Sequence, residues 1–373
     1  MPLPSVVELS SEFIKIPSVS RDSNFAVTNA IQGFFEENGF EVERLEYTHP
    51  EDGQKKASVI AKKGEGKGGF GFFSHSDTVP GAEDQWAAFE PQVKDGKLFG
   101  RGSCDMKGPL AATMLAAAKV AASSLKKPVY VVATADEEHG FNGVKQVVAE
   151  SKLFAQNWPD MGVVAEPSEL VPIYSHKGGY WNIVTAHGVA AHSSTDKGIS
   201  SNFLIAPFLA EMAQLKQRFM TEEQFMDHQF DPPTNGFNLT MTDYGCAGNV
   251  TASKTTCLAN FRSMPGVDNM AVRQLIVDRA KHYGFDIQVQ GHEPFYTSPE
   301  SEVVKLSLEV TGEPKAITVP YGTEALVYGQ YLPLVILGPG NIEQAHTVGE
   351  WIDLGQLERS VDIYETLIRR HCT

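Results

Sequence analysis

Cysteine is scarce in this chain. Cys104, Cys246, Cys257 and Cys372 are the four present, and no two of them form a CxxC pair. That spacing excludes a disulfide framework, and a reducing cytoplasm is the expected compartment. Basic residues are also short: 31 Lys and Arg stand against 46 Asp and Glu, a net charge of −15. A nucleic-acid or anionic-membrane surface needs a basic stripe, so neither partner is expected. No apolar run reaches the roughly 18 residues of a membrane span. The opening MPLPSVVELSSEF lacks the basic-then-apolar order of a secretory signal. Internal repeats and low-complexity tracts are missing as well.

What remains is 373 residues with a hydrophobic content of 42%, enough chain for two domains. VVELSSEFIKI and FAVTNAIQGFFEENGF have helical spacing, the latter ending at Gly39. ASVIAKK, GGFGFFSH, PVYVVATA and MGVVAE read as strands. The Ala-rich MKGPLAATMLAAAKVAASSL and then GVKQVVAESKLF read as helices between them. This alternation predicts a doubly wound α/β layer. The middle of the chain has a different order. GGYWNIVTAHG, TNGFNLTMTDYG, NVTASKTTCLANFRS and FDIQVQGHE read as strands, with SNFLIAPFLAEMAQLKQRF and MAVRQLIVDRAKHYG as helices. That is βαββαβ, a small α+β sandwich. The α/β pattern then resumes. The expected organisation is a discontinuous catalytic domain over 1–177 and 291–373, with a mixed sheet, and an inserted ferredoxin-like domain over 178–290.

Acidic and histidine residues gather at the ends of the apolar runs. They are His75 and Asp77 in FSHSDTVP, Asp105 in GRGSCDMKG, Glu137 and Glu138 in VVATADEEHG, Glu166 in VVAEPSE, and His346 in LGPGNIEQAHT. Each alone has a bland reading: a lone Glu-Glu pair is a solvated surface, and a carboxylate before proline is a turn. Together, two imidazoles and five carboxylates at the strand ends of one sheet are the ligand types that divalent metals take. Two ions about 3.5–4 Å apart need a bridging carboxylate and terminal ligands. Asp105, fixed between a Gly-rich turn and a helix, suits the bridge. His75 and His346 suit the terminal positions, with Glu138 and Glu166 supplying the remaining oxygens. Of the adjacent Glu137 and Glu138, one can bind metal while the other faces the attacking water as general base. Asp77 stands two residues from His75 and can orient its imidazole.

On these motifs the chain resembles the acetylornithine deacetylase and succinyl-diaminopimelate desuccinylase family of co-catalytic zinc hydrolases, over essentially its full length. LKKPVYVVATADEE, SHKGGY, AHSS, YGTEA and LGPGNIEQAH resemble its deacetylase branch. The resemblance implies two zinc ions per subunit, replaceable by cobalt or manganese. Their ligands would be His75, Asp105, Glu138, Glu166 and His346, with Asp105 bridging. Glu137 would be the general base and acid, and Asp77 would orient His75. The inserted domain would serve as lid and dimerisation domain of a homodimer. His192 in GVAAHSS would cross that interface and stabilise the oxyanion; by itself it reads as a helix-start residue. Arg262 in ANFRSMPG and Asn249 in GNVTAS would hold a substrate carboxylate; by itself Arg262 reads equally as a strand-end ion pair. Gly322 and Thr323 in YGTEA would form a substrate-contacting turn.

The implied reaction is hydrolysis of N2-acetyl-L-ornithine to L-ornithine and acetate, a step of arginine biosynthesis. Desuccinylase, aminoacylase and dipeptidase or carboxypeptidase activities share the same scaffold. An intact Glu137 argues against a non-catalytic metal binder, and nothing near Cys104 suggests a lowered thiol pKa. His139 after the DEE motif and TVGE after His346 depart from the branch and bear on the substrate pocket.

Overall fold

The computed structural model describes residues 2–373. The chain divides into two units, one running through Tyr174 and returning over Thr297–Ile317 and Thr323–Thr373, the other spanning Ser175–Tyr296 and Thr318–Gly322. In chain order the principal strands are β1 (Glu41–Thr48), β2 (Lys55–Lys63), β3 (Phe70–His75), β4 (Val129–Thr134), β5 (Met161–Val164) and β6 (Ile173–His176). They continue with β7 (Gly179–His187), β8 (Asn238–Thr242), β9 (Lys254–Phe261), β10 (Asp286–His292) and β11 (Leu334–Ile336).

The first unit is built on a mixed sheet ordered β1-β2-β4-β3-β5-β11-β6. β3, β4 and β5 are buried along their whole length, as strands covered on both faces must be. Side chains of β3 alternate between those faces. Phe70 and Phe72 join the main core with the helices Val6–Ile14, Phe25–Glu37, Lys107–Lys119 and Leu354–Cys372. Phe73 points the other way, its ring centroid 4.1 Å from Tyr328. Burying each such side chain contributes about 1.5–3 kcal/mol. The doubly wound mixed sheet is thus the expected one.

GVKQVVAESKLF, expected as one helix, is two: Asn142–Glu150 and Lys152–Gln156. Ser151 is extended and caps the second piece by accepting from the Phe154 N–H. Glu43 accepts from Ser151 Oγ at 2.7 Å and from the Lys152 N–H at 2.9 Å, so a distant carboxylate stabilises the break.

Register decides where the strands of the first unit end. β3 runs parallel to β4 and β5, and β5 parallel to β11; His75 lies opposite Thr134, Phe73 opposite Val164, and Val164 opposite Ile336. The four strands finish nearly level, and the segments that follow leave along one edge. An open α/β sheet presents its ligand-binding groups at such an edge. The fit is close at Gly338, where a Cβ would lie 2.3 Å from the Ala165 carbonyl oxygen and 2.5 Å from that of Glu166.

The second unit has an antiparallel sheet ordered β8-β9-β7-β10. The helices Ser201–Thr221 and Asn269–His282 bury Ile205, Phe208, Val272 and Ile276 in its core with Val184 and Cys257. β7 and β9 alternate buried and partly exposed residues, the pattern of a sheet packed on one face. The chain order βαββαβ with this strand order is the expected ferredoxin-like arrangement. Among the described residues no helix is long and apolar enough to cross a membrane.

Candidate metal centre and active site

Asp105 is presented by a turn that has little freedom. Gly102 has φ +83°, a backbone region that favours glycine. The buried Glu350 carboxylate accepts the N–H groups of Gly102, Cys104 and Asp105 at 3.0, 2.9 and 3.0 Å, and Arg101 Nη1 at 2.7 Å. Lys107, just beyond, donates from Nζ to the carbonyls of Phe13 and Ile16 at 3.0 and 2.7 Å. Glu350 was not singled out in the sequence; its only signal there is its place in the unusual TVGE segment, some 245 residues from the turn it organises.

Asp105 lies between two imidazoles. Its Oδ1 is 3.0 Å from His75 Nε2, and its Oδ2 is 3.3 Å from His346 Nε2. Glu166 approaches His75 Nε2 at 3.5 Å and Glu137 at 3.9 Å, while Glu138 is 2.9 Å from His346 Nε2. Three groups of donor atoms, each within 4.8 Å of one another, result: His75–Asp105–Glu166, Asp105–Glu138–His346 and His75–Glu137–Glu138. Asp105 is common to the first two. All these residues belong to the first unit: His75 ends β3, Glu137 and Glu138 follow β4, Glu166 follows β5, His346 lies in the loop after β11, and Asp105 comes from the turn before the Lys107–Lys119 helix.

Asp77 holds the neighbouring turn. Its carboxylate accepts the N–H groups of Glu137 and Glu138, each at 3.2 Å, and the Ser20 hydroxyl at 2.7 Å. His75 Nδ1 lies 3.0 Å from the Asp77 carbonyl oxygen and 3.6 Å from its carboxylate. With Nδ1 directed at that carbonyl, Nε2 is the ring nitrogen that faces the acidic cluster.

The electrostatics of this cluster are those of acids lacking enough cations. Burial, reinforced by neighbouring carboxylates, pushes Glu137 well above the usual range and Glu166 up to about 7. Glu138 is raised by burial as well. Burial opposes a low pKa at Asp105, yet hydrogen bonds with His346 and His75 carry it below its ordinary value. His346 rises to about 10 through its bonds to Asp105 and Glu138. Glu324, also absent from the sequence-based set, is buried beside them. One of its oxygens accepts from Thr134 Oγ1 at 2.6 Å, the other has no partner among the described residues, and burial takes it up to about 8. Buried like charges at this density are costly unless a cation is shared among them. Two imidazole nitrogens with four carboxylates form an N/O donor set suited to a pair of divalent ions.

The other sequence-derived candidates divide between the units. Thr323 is buried in the first, its Oγ1 accepting from the Ala325 N–H at 3.1 Å; Gly322 is half-buried in the second. His192, Asn249 and Arg262 are exposed in the second unit. His192 caps the short turn Ser193–Thr195 and pairs with Val250, while the Ser193 N–H donates to the Asn249 carbonyl at 2.9 Å. Arg262 follows the end of β9 and makes no ion pair among the described residues. Of the two departures from the branch, His139 is half-buried and faces His49, ring centroids 5.0 Å apart, and Glu350 anchors the Asp105 turn. Cys104 is buried, its thiol raised by that burial, unlike a nucleophilic cysteine.

Comparison with known proteins gives a consistent set of relatives. The profile of Peptidase family M20/M25/M40 matches residues 71–370. An acetylornithine deacetylase of Proteus mirabilis is 32% identical, covering 99% of this chain and 97% of its own length. That of Vibrio parahaemolyticus is 31% identical over the whole of both chains. Among solved structures, an M20 family metallo-carboxypeptidase from Sulfolobus solfataricus superposes with a TM-score of 0.75 at 17% identity, covering 98% of this chain and 99% of that one. A dinuclear metal-binding M20 peptidase from Bacillus subtilis gives 0.65 at 16%, covering 98% and 96%.

Proposed function

The chain belongs to peptidase family M20/M25/M40 and is a metal-dependent hydrolase of amide bonds; from that premise we propose that it deacetylates N2-acetyl-L-ornithine, giving L-ornithine and acetate. The observation that carries the reading is the Asp105 carboxylate set between His75 and His346, in a chain similar over its full length to acetylornithine deacetylases. His75, Asp105 and Glu166 would hold one zinc ion, and Asp105, Glu138 and His346 the second; cobalt or manganese suits the same donors. Two divalent ions in those positions supply Lewis acidity at the scissile carbonyl and at the attacking water.

The remaining steps belong to the chain's own side chains. Glu137 takes the proton of the attacking water and then releases it to the leaving ornithine amine. Asp77, through the N–H groups of Glu137 and Glu138, keeps that base in place. His192 donates to the developing oxyanion. Arg262 takes the substrate α-carboxylate in its planar fork, with Asn249 and the Gly322–Thr323 turn completing the grip. We infer a homodimer in which the inserted unit forms the interface and His192 of the partner subunit serves the site. The exposed Phe203, Leu204, Met241 and Val250 of that unit support it. Formation of ornithine would place the reaction in arginine biosynthesis, in the cytoplasm.

The test is primary-amine release from N2-acetyl-L-ornithine, with N-succinyl-diaminopimelate, N-acetyl-methionine and dipeptides alongside, before and after chelation. Chelator-sensitive release of ornithine in preference to the others is expected. Preferential cleavage of a dipeptide or a succinyl amide would move the substrate to that branch and leave the metal site standing.

A further inference from the structure

The turn bearing Glu137 and Glu138 is gripped from behind by a buried cation. Lys56 of β2 is fully buried, its Nζ 2.8 Å from Asp136 Oδ1. Tyr47 OH donates to the other Asp136 oxygen at 2.5 Å, and His49 Nε2 lies 3.9 Å from it. Lys56 Nζ also donates to the carbonyl oxygens of Ser20 and of Asp22, the latter at 2.7 Å. Ser20 in turn donates its hydroxyl to Asp77, whose carboxylate accepts the Glu137 and Glu138 N–H groups. One ammonium therefore reaches the turn by two routes, directly through Asp136 and indirectly through Ser20 and Asp77.

Two physical points argue that this arrangement does more than fill space. The β2 residues after Lys56, Ala57 to Ala61, are all buried; an apolar residue at 56 would avoid the several kcal/mol of desolvation that a buried ammonium costs. Asp136 has φ +59°, a conformation uncommon for a residue with a Cβ, which persists where the surroundings over-determine it. Lys56 and Tyr47 hold its side chain, while the His139 and Phe141 N–H groups hold its carbonyl. The constraint falls on the residue immediately before Glu137.

We propose that Lys56 is a positioning residue for the reaction. Through Asp136 on one side and Ser20–Asp77 on the other, it fixes the turn so that the Glu137 carboxylate meets the attacking water. The proposal rests on the reading of Glu137 as general base. A base displaced by about 1 Å can lose on the order of 100-fold in turnover.

The experiment compares Lys56→Met and Lys56→Arg with the parent enzyme for metal per chain, thermal midpoint, kcat, KM and the pH profile of kcat. For Lys56→Met the expected result is unchanged metal content, KM within about twofold, kcat down roughly 100-fold and a displaced acid limb. Lys56→Arg, which keeps the charge, should recover part of kcat. An unchanged kcat overturns the proposal. So does a kcat loss that tracks metal loss, because the role would then be structural alone. If Lys56→Met does not fold, Tyr47→Phe decides, since it keeps the ring and removes one donor to Asp136. It should lower kcat several-fold at constant metal content, and no change overturns the idea. Glu137→Gln in the same assay separates the two readings: retained turnover there removes Glu137 as the base, whatever Lys56 does.

Discussion

The two units differ in how they house their buried acids. In the second, the buried Lys177 and Asp227 each face backbone groups of opposite polarity. Lys177 donates to the carbonyls of Pro232 and Thr234, and Asp227 accepts the Gly266 N–H. Its candidate functional groups, His192, Asn249 and Arg262, stay in solvent. In the first unit, Asp105, Glu137, Glu138 and Glu166 are packed against one another with two imidazoles among them. Backbone dipoles suffice for an isolated buried charge, but several buried acids need a cation that the chain does not itself supply. The first unit is therefore built for a guest, and the second is complete as a folded object.

The strongest test of that contrast is Glu137→Gln. If the acidic cluster contains a base distinct from its metal ligands, the variant should keep its metal and lose about 10³-fold in kcat, some 4 kcal/mol of barrier. Turnover and metal content measured on one preparation decide it; loss of both together would make Glu137 a ligand. Next in size is Glu350→Gln, which leaves every proposed ligand in place but weakens the frame behind Asp105. Supporting groups of this kind typically matter 10–100-fold in metal affinity. Competition with a chelator should show a loss of that order, and unchanged affinity would mean the Asp105 turn holds itself.

Arg262→Ala acts from the other unit and sharpens the contrast. Losing a charge-assisted contact to a substrate carboxylate should lower kcat/KM by about 10–30-fold, with metal content and thermal midpoint unchanged. A variant with normal kcat/KM for N2-acetyl-L-ornithine would remove Arg262 from substrate binding.

The same contrast explains what could be read from the sequence. His75, Glu138 and Glu166 stand out because each lies at or just past the end of an apolar run, and parallel register carries those ends to one edge of the sheet; Asp105 and His346 stand out by their motifs and reach that edge from the turn before the Lys107–Lys119 helix and from the loop after β11. Glu350, Glu324 and Lys56 lacked that signature. Lys56 lies just before ASVIAKK, beside another lysine, and its partner Asp136 is eighty residues further along the chain. Glu350 follows a glycine in a loop, and Glu324 follows the Gly322–Thr323 turn with no apolar run directly before it. Their roles depend on contacts across long stretches of chain, as between Thr134 and Glu324, that no local period encodes. The break at Ser151 escaped for the same reason, because Glu43 lies about a hundred residues earlier. The βαββαβ order of the second unit was legible because alternation in β7 and β9 is local.

The smallest effect is on the metal-free protein, and its sign follows from the buried acids. Burial raises Glu324 to about 8 and Glu166 to about 7, from ordinary values of 4.5. Between about pH 5 and 8 the folded chain then binds protons that the unfolded chain has released, so stability falls as pH rises. His346, raised to about 10, works in the same direction: its contribution is complete below about 6.5 and is lost as pH climbs through 10. Asp105, held low by His346 and His75 against its burial, loses its contribution only on acidification, outside this window. The thermal midpoint of the metal-free protein should therefore be a few degrees higher near pH 6 than near pH 8.5. Bound cations should flatten that slope by stabilising the ionised carboxylates. Glu324→Gln removes a raised carboxyl that is not a proposed ligand, so it should flatten the slope without changing metal content. A midpoint that rises with pH in the metal-free protein would show that its acids are already compensated from within, and the contrast between the units would fail.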